Sequence, residues 1–210
     1  IDNSAKAAQY LYSCRDMGIK VLPPDINCGQ GEFTAEGDHV RYGMYAIKSL
    51  GRPVIDQIIE ERESGGRYRT LSDFIERTCQ KELINKRAIE NLIKAGACDS
   101  LDGTRKQMAM VYASIVDRVQ HDKKSTMAGQ MSLFEFVPDE DRQSFELKYP
   151  YVGEYDAEEA LAYEKEVLGI YLSGHPLEKY AASLKKNITA NARDFVLEEE
   201  SGAVKIKDNA

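Results

Sequence analysis

The sequence has no apolar run that approaches the roughly 18 residues needed to cross a lipid bilayer, so we do not expect it to span a membrane. It also has few of the residues that zinc sites need. The four cysteines are far apart, no two form a CxxC pair, and there are only three histidines. Because zinc ligands are clustered, we expect reduced thiols of a cytosolic protein and no metal. The GxxxxGK[ST], GxSxG and HExxH motifs are also missing, which favours a non-catalytic chain.

The chain begins with Ile1 rather than Met, and its first residues lead directly into a helical pattern. We interpret it as a segment of a longer protein without a signal peptide. Hydrophobic residues make up 42 % and charged residues 30 % of the sequence, a balance typical of a globular protein.

The net charge of −7 argues against a simple nucleic-acid binder, but the charge is unevenly distributed. Residues 41–106 carry 13 Lys and Arg against 10 Asp and Glu, whereas the rest of the chain carries 15 against 25. Phosphate binding depends on local cations rather than on overall charge. The basic segment therefore permits contact with a nucleic acid.

The apolar periodicity predicts a mainly α-helical fold with a small β-hairpin between Phe33 and Tyr42. An extended run over residues 19–22 precedes the hairpin and ends at two prolines. A polar linker follows residue 120, and a further pair of helices comes after it. The helices are predicted at about residues 4–17, 45–49, 54–63, 72–78, 85–95, 102–119, 156–168 and 175–186, with caps at Ser72, Asn85, Asp102 and Asp156.

Residues 46–59 have the pattern of a helix-hairpin-helix, two short helices joined by a tight turn at Gly51. Gly permits a compact turn with outward N–H groups, and the N-terminus of the second helix attracts a phosphate. Lys48 and Arg52 add positive charge beside Ser49 and Gly51. Such a site contacts no base edge, so binding is expected to be independent of sequence and sensitive to salt.

A second helix, Gly turn and helix follow over residues 87–119, with Gly96 placed 45 positions after Gly51. Any helical hairpin can contain a Gly turn, but two copies together favour a tandem unit that binds duplex DNA. The second set of candidate phosphate-binding residues comprises Lys86, Arg87, Lys94, Gly96, Arg105 and Lys106.

A short apolar peptide, QMSLF at residues 130–134, lies inside the polar linker. Leu133 and Phe134 suit a hydrophobic pocket on a partner, Gln130 an orienting hydrogen bond, and Met131 and Ser132 the spacer positions. The alternative is a linker segment that folds back onto its own core.

Two other interpretations stay open. Some DNA glycosylases carry a helix-hairpin-helix followed by a catalytic Asp or Lys, but Asp56 falls within the following helix without aromatic neighbours in sequence. The hairpins could instead face another protein, giving an interaction scaffold that does not bind DNA directly. The acidic cluster at residues 139–141 lies in the linker, which favours a solvated charge run over a metal site.

Four segments closely resemble signatures of the alpha subunit of bacterial DNA polymerase III, the C-family replicative polymerase. They are CRDMGIKVLPPDIN at 14–27, YGMYAIK at 42–48, LIKAGACDSL at 92–101 and EKEVLGIYLSGHPL at 164–177. The resemblance implies that residues 1–44 end the fingers, 45–120 form the tandem hairpins that hold duplex DNA, 121–155 form the linker, and 156–210 lead toward an OB-fold.

The resemblance also implies that residues 130–134 are the internal peptide that binds the beta sliding clamp. It implies other replicase subunits as partners of the full-length chain, a cytoplasmic location at the replication fork, and Mg²⁺ for the parent polymerase, a nucleotidyltransferase. The catalytic aspartates of that family precede this stretch, so this chain alone is expected to be inactive. The first hairpin departs from the family pattern, because Pro53 removes a backbone N–H where a second small residue is usual.

Overall fold

The computed structural model describes residues 4–79, 84–127, 149–181 and 183, and the chain divides into two units, Ile1–Ser173 and Gly174–Ala210. The predicted mainly helical fold with a small sheet is confirmed. The described part of the second unit contains a 3₁₀ helix, Glu178–Tyr180. The first unit contains α1 (Ser4–Asp16), β1 (Lys20–Leu22), β2 (Thr34–Glu36), β3 (His39–Arg41), a 3₁₀ helix (Met44–Ala46), α2 (Arg52–Gly65), α3 (Leu71–Cys79), α4 (Lys86–Lys94), α5 (Arg105–Met127) and α6 (Ala157–Leu168).

The three strands form one sheet in the order β1–β3–β2. β2 and β3 are antiparallel and form the predicted hairpin, with Gly37 at φ 57 in the turn. β1 pairs in parallel with β3, where Val21 lies opposite Val40. The sequence predicted β1 as extended but not its pairing, because a parallel partner is joined through a long connection that leaves no local signal.

The core of the first unit is formed by the apolar faces of α2 to α5. Ile55 and Ile58 of α2 are fully buried, as are Ile89 and Leu92 of α4, each pair at helical spacing. The stripe predicted for α5 is confirmed at Met108, Val111 and Ile115, and Val119 packs against it. Because burying one such side chain contributes about 1.5–3 kcal/mol, these faces hold the two hairpins in one body.

Two of the predicted helix caps are confirmed and two are wrong. The Asn85 side chain accepts a hydrogen bond from the Ala88 N–H at 2.9 Å, and Asp156 accepts one from the Glu159 N–H at 2.8 Å. Thr70 rather than Ser72 caps α3. Thr104 rather than Asp102 caps α5, through reciprocal bonds with Gln107 at 2.9 and 3.2 Å. Gly103, at φ 87, separates Asp102 from the helix.

The polar segment after residue 120 is partly helical and partly packed, so the predicted linker is too long. α5 continues to Met127, because polar residues such as Lys123 have good helix propensity without an apolar stripe. Residues 149–155 return to the body of the first unit, where Tyr149 packs against the core and the Pro150 carbonyl accepts a hydrogen bond from Gln107. The peptide at 130–134 lies outside the described residues.

In the second unit, the helix predicted to start at His175 begins instead at Glu178, with Leu177 as its N-cap, and the His175 Nδ1 accepts a hydrogen bond from the Leu177 N–H at 3.2 Å in the turn before it. The described residues of this unit show the short 3₁₀ helix followed by helical residues 181 and 183, and the remainder of the predicted helix lies outside them. None of the helices in the described part of the chain is long and apolar enough to span a membrane.

Candidate nucleic-acid interface

The first hairpin is entered through a 3₁₀ turn, so the α-helix predicted over residues 45–49 is wrong. The chain becomes extended at Ile47, with φ −73 and ψ 122. Tertiary hydrogen bonds then satisfy the backbone of Lys48: its N–H donates to the Val167 carbonyl at 2.8 Å, and its carbonyl accepts from Asn91 Nδ2 at 3.0 Å. These partners, distant in sequence, replace the bonds that a helix would have made.

The turn of the first hairpin has Ser49, and not Gly51, in the left-handed region. Ser49 has φ 61, whereas Gly51 has φ −74 and ψ 150, values open to any residue. The prediction that Gly51 supplies the special conformation is therefore wrong, although Gly51 does precede α2 as its N-cap. Pro53 lies in the first turn of α2, where its missing N–H costs no helical hydrogen bond.

The second hairpin does use its glycine in the predicted way. Gly96 has φ 77 and follows the end of α4, where the Ala97 N–H donates to the Leu92 carbonyl at 2.9 Å. A Cβ atom placed on Gly96 would lie 2.2 Å from Nη2 of Arg105. The Gly96 turn is therefore covered by the first side chain of α5 and is buried.

Arg105 connects this turn to α6. Its Nε and Nη2 atoms lie 2.8 and 2.6 Å from the two carboxylate oxygens of Asp99, and its Nη1 lies 3.4 Å from Glu164. The Glu164 side chain is 1 % exposed, and its other oxygen accepts hydrogen bonds from the N–H groups of Leu172 and Ser173, both at 2.9 Å. Arg105 is 14 % exposed, so its guanidinium is committed to internal partners.

The N-terminus of α5 was a second candidate phosphate site, but a carboxylate of the same chain lies there. The N–H groups of Arg105 and Lys106 donate to the two oxygens of Glu154, at 2.8 and 3.1 Å. The Lys106 ammonium lies 5.6 Å from the centre of the Tyr155 ring, in cation–π contact. Glu154 thereby neutralises the positive end of the helix dipole that a phosphate would otherwise meet.

A cleft of about 460 Å³ brings the two hairpins together. Its walls come from the first hairpin, from one face of α4 and from the end of α6. Half of the ten candidate phosphate-binding residues line it, together with two carboxylates. The lining residues are Lys48, Ser49, Lys86, Arg87, Glu90, Asn91, Lys94, Glu166 and Val167. The tandem arrangement thus places cations that are far apart in sequence on one surface.

The cations of the cleft differ in how they are paired. Arg87 is exposed and forms no ion pair with any described residue. Lys48 is exposed as well, and its ammonium donates to the Glu166 backbone carbonyl at 3.2 Å. Lys86 lies 2.6 Å from Asp117 of α5, an ion pair at the surface. Lys86 and Arg87 stand in the first turn of α4, where the helix dipole disfavours cations, so helix stability does not account for them.

Lys94 is the most engaged of these cations. Its Nζ lies 3.0 Å from Glu90 Oε1 and 3.2 Å from Glu166 Oε1, and 5.2 Å from the centre of the Tyr163 ring. Burial lowers the pKa of Lys94, but the hydrogen bonds to the two carboxylates outweigh burial, so the net pKa is raised. Lys94 therefore stays protonated in the cleft.

Arg52 and Asp56 lie outside the cleft. Arg52 is 71 % exposed, lies 3.6 Å from Glu32 and stacks over the Tyr45 ring at 4.5 Å. Asp56 accepts a hydrogen bond from the Tyr45 hydroxyl, which raises the pKa of that tyrosine. The Asp56 carboxylate considered for glycosylase chemistry is thus engaged in a contact within the first hairpin.

The sequence did not identify Asn91, Glu90 or Glu166 as residues that line the cleft, or Glu154 as the acceptor at the N-terminus of α5. Glu90 could have been found, because it precedes Lys94 by four positions on one helix face. Glu166 could not, since 72 positions separate it from Lys94. Among the described residues, no three His, Cys, Asp or Glu side chains converge on a possible metal site.

Comparison with known proteins agrees with this architecture. A helix-hairpin-helix motif model matches residues 18–108, which include β1 to α4 and the start of α5. The DNA polymerase III subunit alpha of Borreliella burgdorferi is 40 % identical over 184 residues, covering 88 % of this chain and 16 % of the relative. The subunits of Mycobacterium leprae and Vibrio cholerae are 38 % and 37 % identical, each over 89 % of this chain and 16 % of the relative.

The described body is therefore a helix-hairpin-helix protein built on a tandem pair of helical turns. By sequence the chain belongs with the DNA polymerase III alpha subunits, and it spans about one sixth of the length of the relatives that it matches.

Proposed function

We propose that this chain is the segment of a replicative DNA polymerase of the DNA polymerase III alpha type that holds duplex DNA by its phosphates. The observation that carries the proposal is the cleft in which Lys48 of the first hairpin meets Lys86, Arg87 and Lys94 of α4. Homology to alpha subunits and the helix-hairpin-helix motif support a nucleic acid as the ligand.

The chemistry of the cleft suits a sugar–phosphate backbone. Lys48 and Arg87 present exposed cations, and the Ser49 hydroxyl and the Asn91 amide add neutral polar groups. Among the described residues that line the cleft, none is aromatic, so base stacking of the kind used for single strands has no partner there. Contacts to phosphates carry no sequence information, and affinity should fall steeply with salt because bound counterions are released.

The test is the affinity of the protein for a blunt-ended duplex, measured by fluorescence anisotropy over a salt series. The double variant Lys48→Gln/Arg87→Gln should bind more weakly, and its log–log salt slope should be shallower by about 0.9 for each phosphate that the variant no longer neutralises. Arg67→Gln/Arg69→Gln is the matched control, because it removes two exposed cations that do not line the cleft.

Equal weakening by both double variants would mean that overall charge, and not the cleft, determines binding. Salt-independent binding would contradict a phosphate-backbone mechanism altogether. The phosphate contacts predicted for Gly51, Arg52, Gly96, Arg105 and Lys106 stay predictions, and the commitment of Arg105 to Asp99 and Glu164 favours a structural role for that residue.

We further propose that residues 130–134 dock the polymerase on the beta sliding clamp. Support comes from the QMSLF pattern and the family resemblance, since this peptide lies outside the described residues. Leu133→Ala with Phe134→Ala should abolish binding to purified clamp, measured by titration, without changing the unfolding transition of the helical body. Unchanged clamp affinity would contradict the assignment, and a loss of both binding and fold would place the pair in the core.

Nucleotidyl transfer belongs, in this proposal, to other parts of the polymerase, where Mg²⁺ and the catalytic aspartates act. The chain alone should fail to extend a primer on a template at any Mg²⁺ concentration. Its proposed setting is the cytoplasm, at the replication fork, together with the other replicase subunits. Primer extension by the purified chain would contradict this division of labour.

An interaction scaffold is the second candidate, and one observation favours it. Lys86 and Lys94 already pair with Asp117, Glu90 and Glu166, so part of the positive charge of the cleft is neutralised. The same double variants decide between the two candidates. A scaffold predicts that neither pair of substitutions changes the affinity for duplex DNA.

A further inference from the structure

The carboxylate of Glu166 occupies the cleft at the most engaged of its cations. Both of its oxygens lie within hydrogen-bonding distance of Lys94 Nζ, at 3.2 and 3.3 Å. The Glu166 side chain is 58 % exposed, whereas that of Lys94 is 19 % exposed. Lys94 is thus held in the wall, and the carboxylate reaches it from the solvent side.

Helix stability does not explain a glutamate at this position. Glu166 lies in the last turn of α6, where the negative end of the helix dipole disfavours a carboxylate. Glu90 differs, because it precedes Lys94 by four residues on the same helix and forms an ordinary pair along one helical face. Among the described residues, Glu166 is the carboxylate that enters the cleft from another element.

The end of α6 is fixed to the first hairpin without help from the Glu166 carboxylate. The Lys48 N–H donates to the Val167 carbonyl at 2.8 Å, and the Lys48 ammonium donates to the Glu166 carbonyl at 3.2 Å. Tyr42 adds a hydrogen bond from its hydroxyl to the Leu168 carbonyl at 3.4 Å. The backbone therefore presents the carboxylate at the cleft, and the side chain is able to rotate into solvent while these anchors remain.

We propose that Glu166 sets the affinity of the cleft for a backbone phosphate by competing with it for Lys94. The inference rests on the proposed binding of duplex DNA. A carboxylate and a phosphate both offer anionic oxygens to the Lys94 ammonium. Because the Glu166 carboxylate is exposed, displacing it from Lys94 costs less free energy than breaking a buried ion pair. An exposed ion pair of this kind is weak enough to be exchanged, and its loss changes an equilibrium by about fivefold at most.

The test compares two glutamates of the same helix. Glu166→Gln removes the competitor, and Glu159→Gln removes the same charge from the exposed first turn of α6, outside the cleft. Affinity for a blunt-ended duplex is measured at low salt for both variants. Glu166→Gln should bind about three- to fivefold more tightly than Glu159→Gln.

A second pair of variants, both carrying Lys94→Gln, tests whether the gain in affinity depends on Lys94. In a Lys94→Gln background the gain from Glu166→Gln should disappear, because the group for which the anions compete has been removed. Thermal unfolding of every variant provides a check on the fold, and the anchors of α6 together with the helix dipole predict that Glu166→Gln does not unfold at a lower temperature than Glu159→Gln.

The outcomes distinguish a failure of competition by Glu166 from a failure of the proposed DNA binding. If duplex binds and the two glutamate variants bind equally, or if the gain survives in the Lys94→Gln background, competition by Glu166 is refuted while DNA binding stands. If the wild type and all variants fail to bind duplex, both the proposed function and this inference are wrong. A lower unfolding temperature in Glu166→Gln alone would make the residue a structural contact.

Discussion

The two hairpins share a sequence pattern, a glycine before a helix, but differ in backbone geometry and in what covers their turns. In the first, the left-handed residue is Ser49, and the turn and the leading side chain Arg52 are exposed. In the second, Gly96 is left-handed, as is Gly103 before α5, and Arg105 covers Gly96. The first hairpin thus faces the cleft and solvent, whereas the turn of the second is part of the packed body.

The charged groups of the two hairpins differ in the same way as their turns. The anion position at the N-terminus of α5 is filled by Glu154, while the cations that face the cleft from the second hairpin come from α4. A pair of similar motifs therefore need not form two equivalent phosphate sites. In the proposed function the pair forms one site, with the turn of the first hairpin at its edge and the turn of the second in the packed body that supports it.

The largest effect should come from removing Arg105, which occupies the first position of α5 as Arg52 does that of α2. Arg105→Met leaves the buried Glu164 carboxylate without its cation, and breaking such a pair costs about 3–5 kcal/mol. Arg52→Met removes an exposed ion pair, which is worth about 0–1 kcal/mol. Urea unfolding of the two variants measures the difference, and equal losses would show that the two hairpins are supported alike.

The next largest difference in stability is expected between alanine substitutions of Gly96 and Gly51. Gly96→Ala forces an alanine into the left-handed region, at about 1–2 kcal/mol, and places its Cβ against the Arg105 guanidinium. Gly51→Ala should be almost neutral, because its φ is ordinary and the nearest atom to the new Cβ, Pro53 Cδ, lies 3.6 Å away. Differential scanning calorimetry should show a clear fall in Tm for the first variant only. A comparable fall for Gly51→Ala would contradict the extended conformation assigned to it.

The features of this molecule that depend on neighbouring residues could be predicted from the sequence, whereas those that depend on residues far apart in the chain could not. The apolar stripe from Met108 to Ile115 and the cap at Asn85 are written in neighbouring residues and were predicted correctly. The helix expected over residues 45–49 was wrong, because the backbone is extended at Ile47 and Lys48 is held in a turn, where its carbonyl accepts a hydrogen bond from Asn91 and its N–H donates to the Val167 carbonyl. The cations of the site could be predicted from local charge. Glu166, which pairs with Lys94, and Glu154, which accepts hydrogen bonds at the N-terminus of α5, could not, since only the folded chain brings them near their partners.

The smallest predicted effect is that of Ser49→Gly, which concerns the first hairpin alone. Ser49 has φ 61, which costs a residue with a side chain about 1–2 kcal/mol relative to glycine. Glycine at this position relieves that strain but adds about 0.4–1 kcal/mol of conformational entropy to the unfolded chain. Ser49→Gly should therefore stabilise the protein by roughly 0.5 kcal/mol, measured as a small rise in the urea midpoint at unchanged slope. A matched loss of duplex affinity would show that the Ser49 hydroxyl contacts a phosphate, whereas a loss of stability would show that this hydroxyl supports the turn.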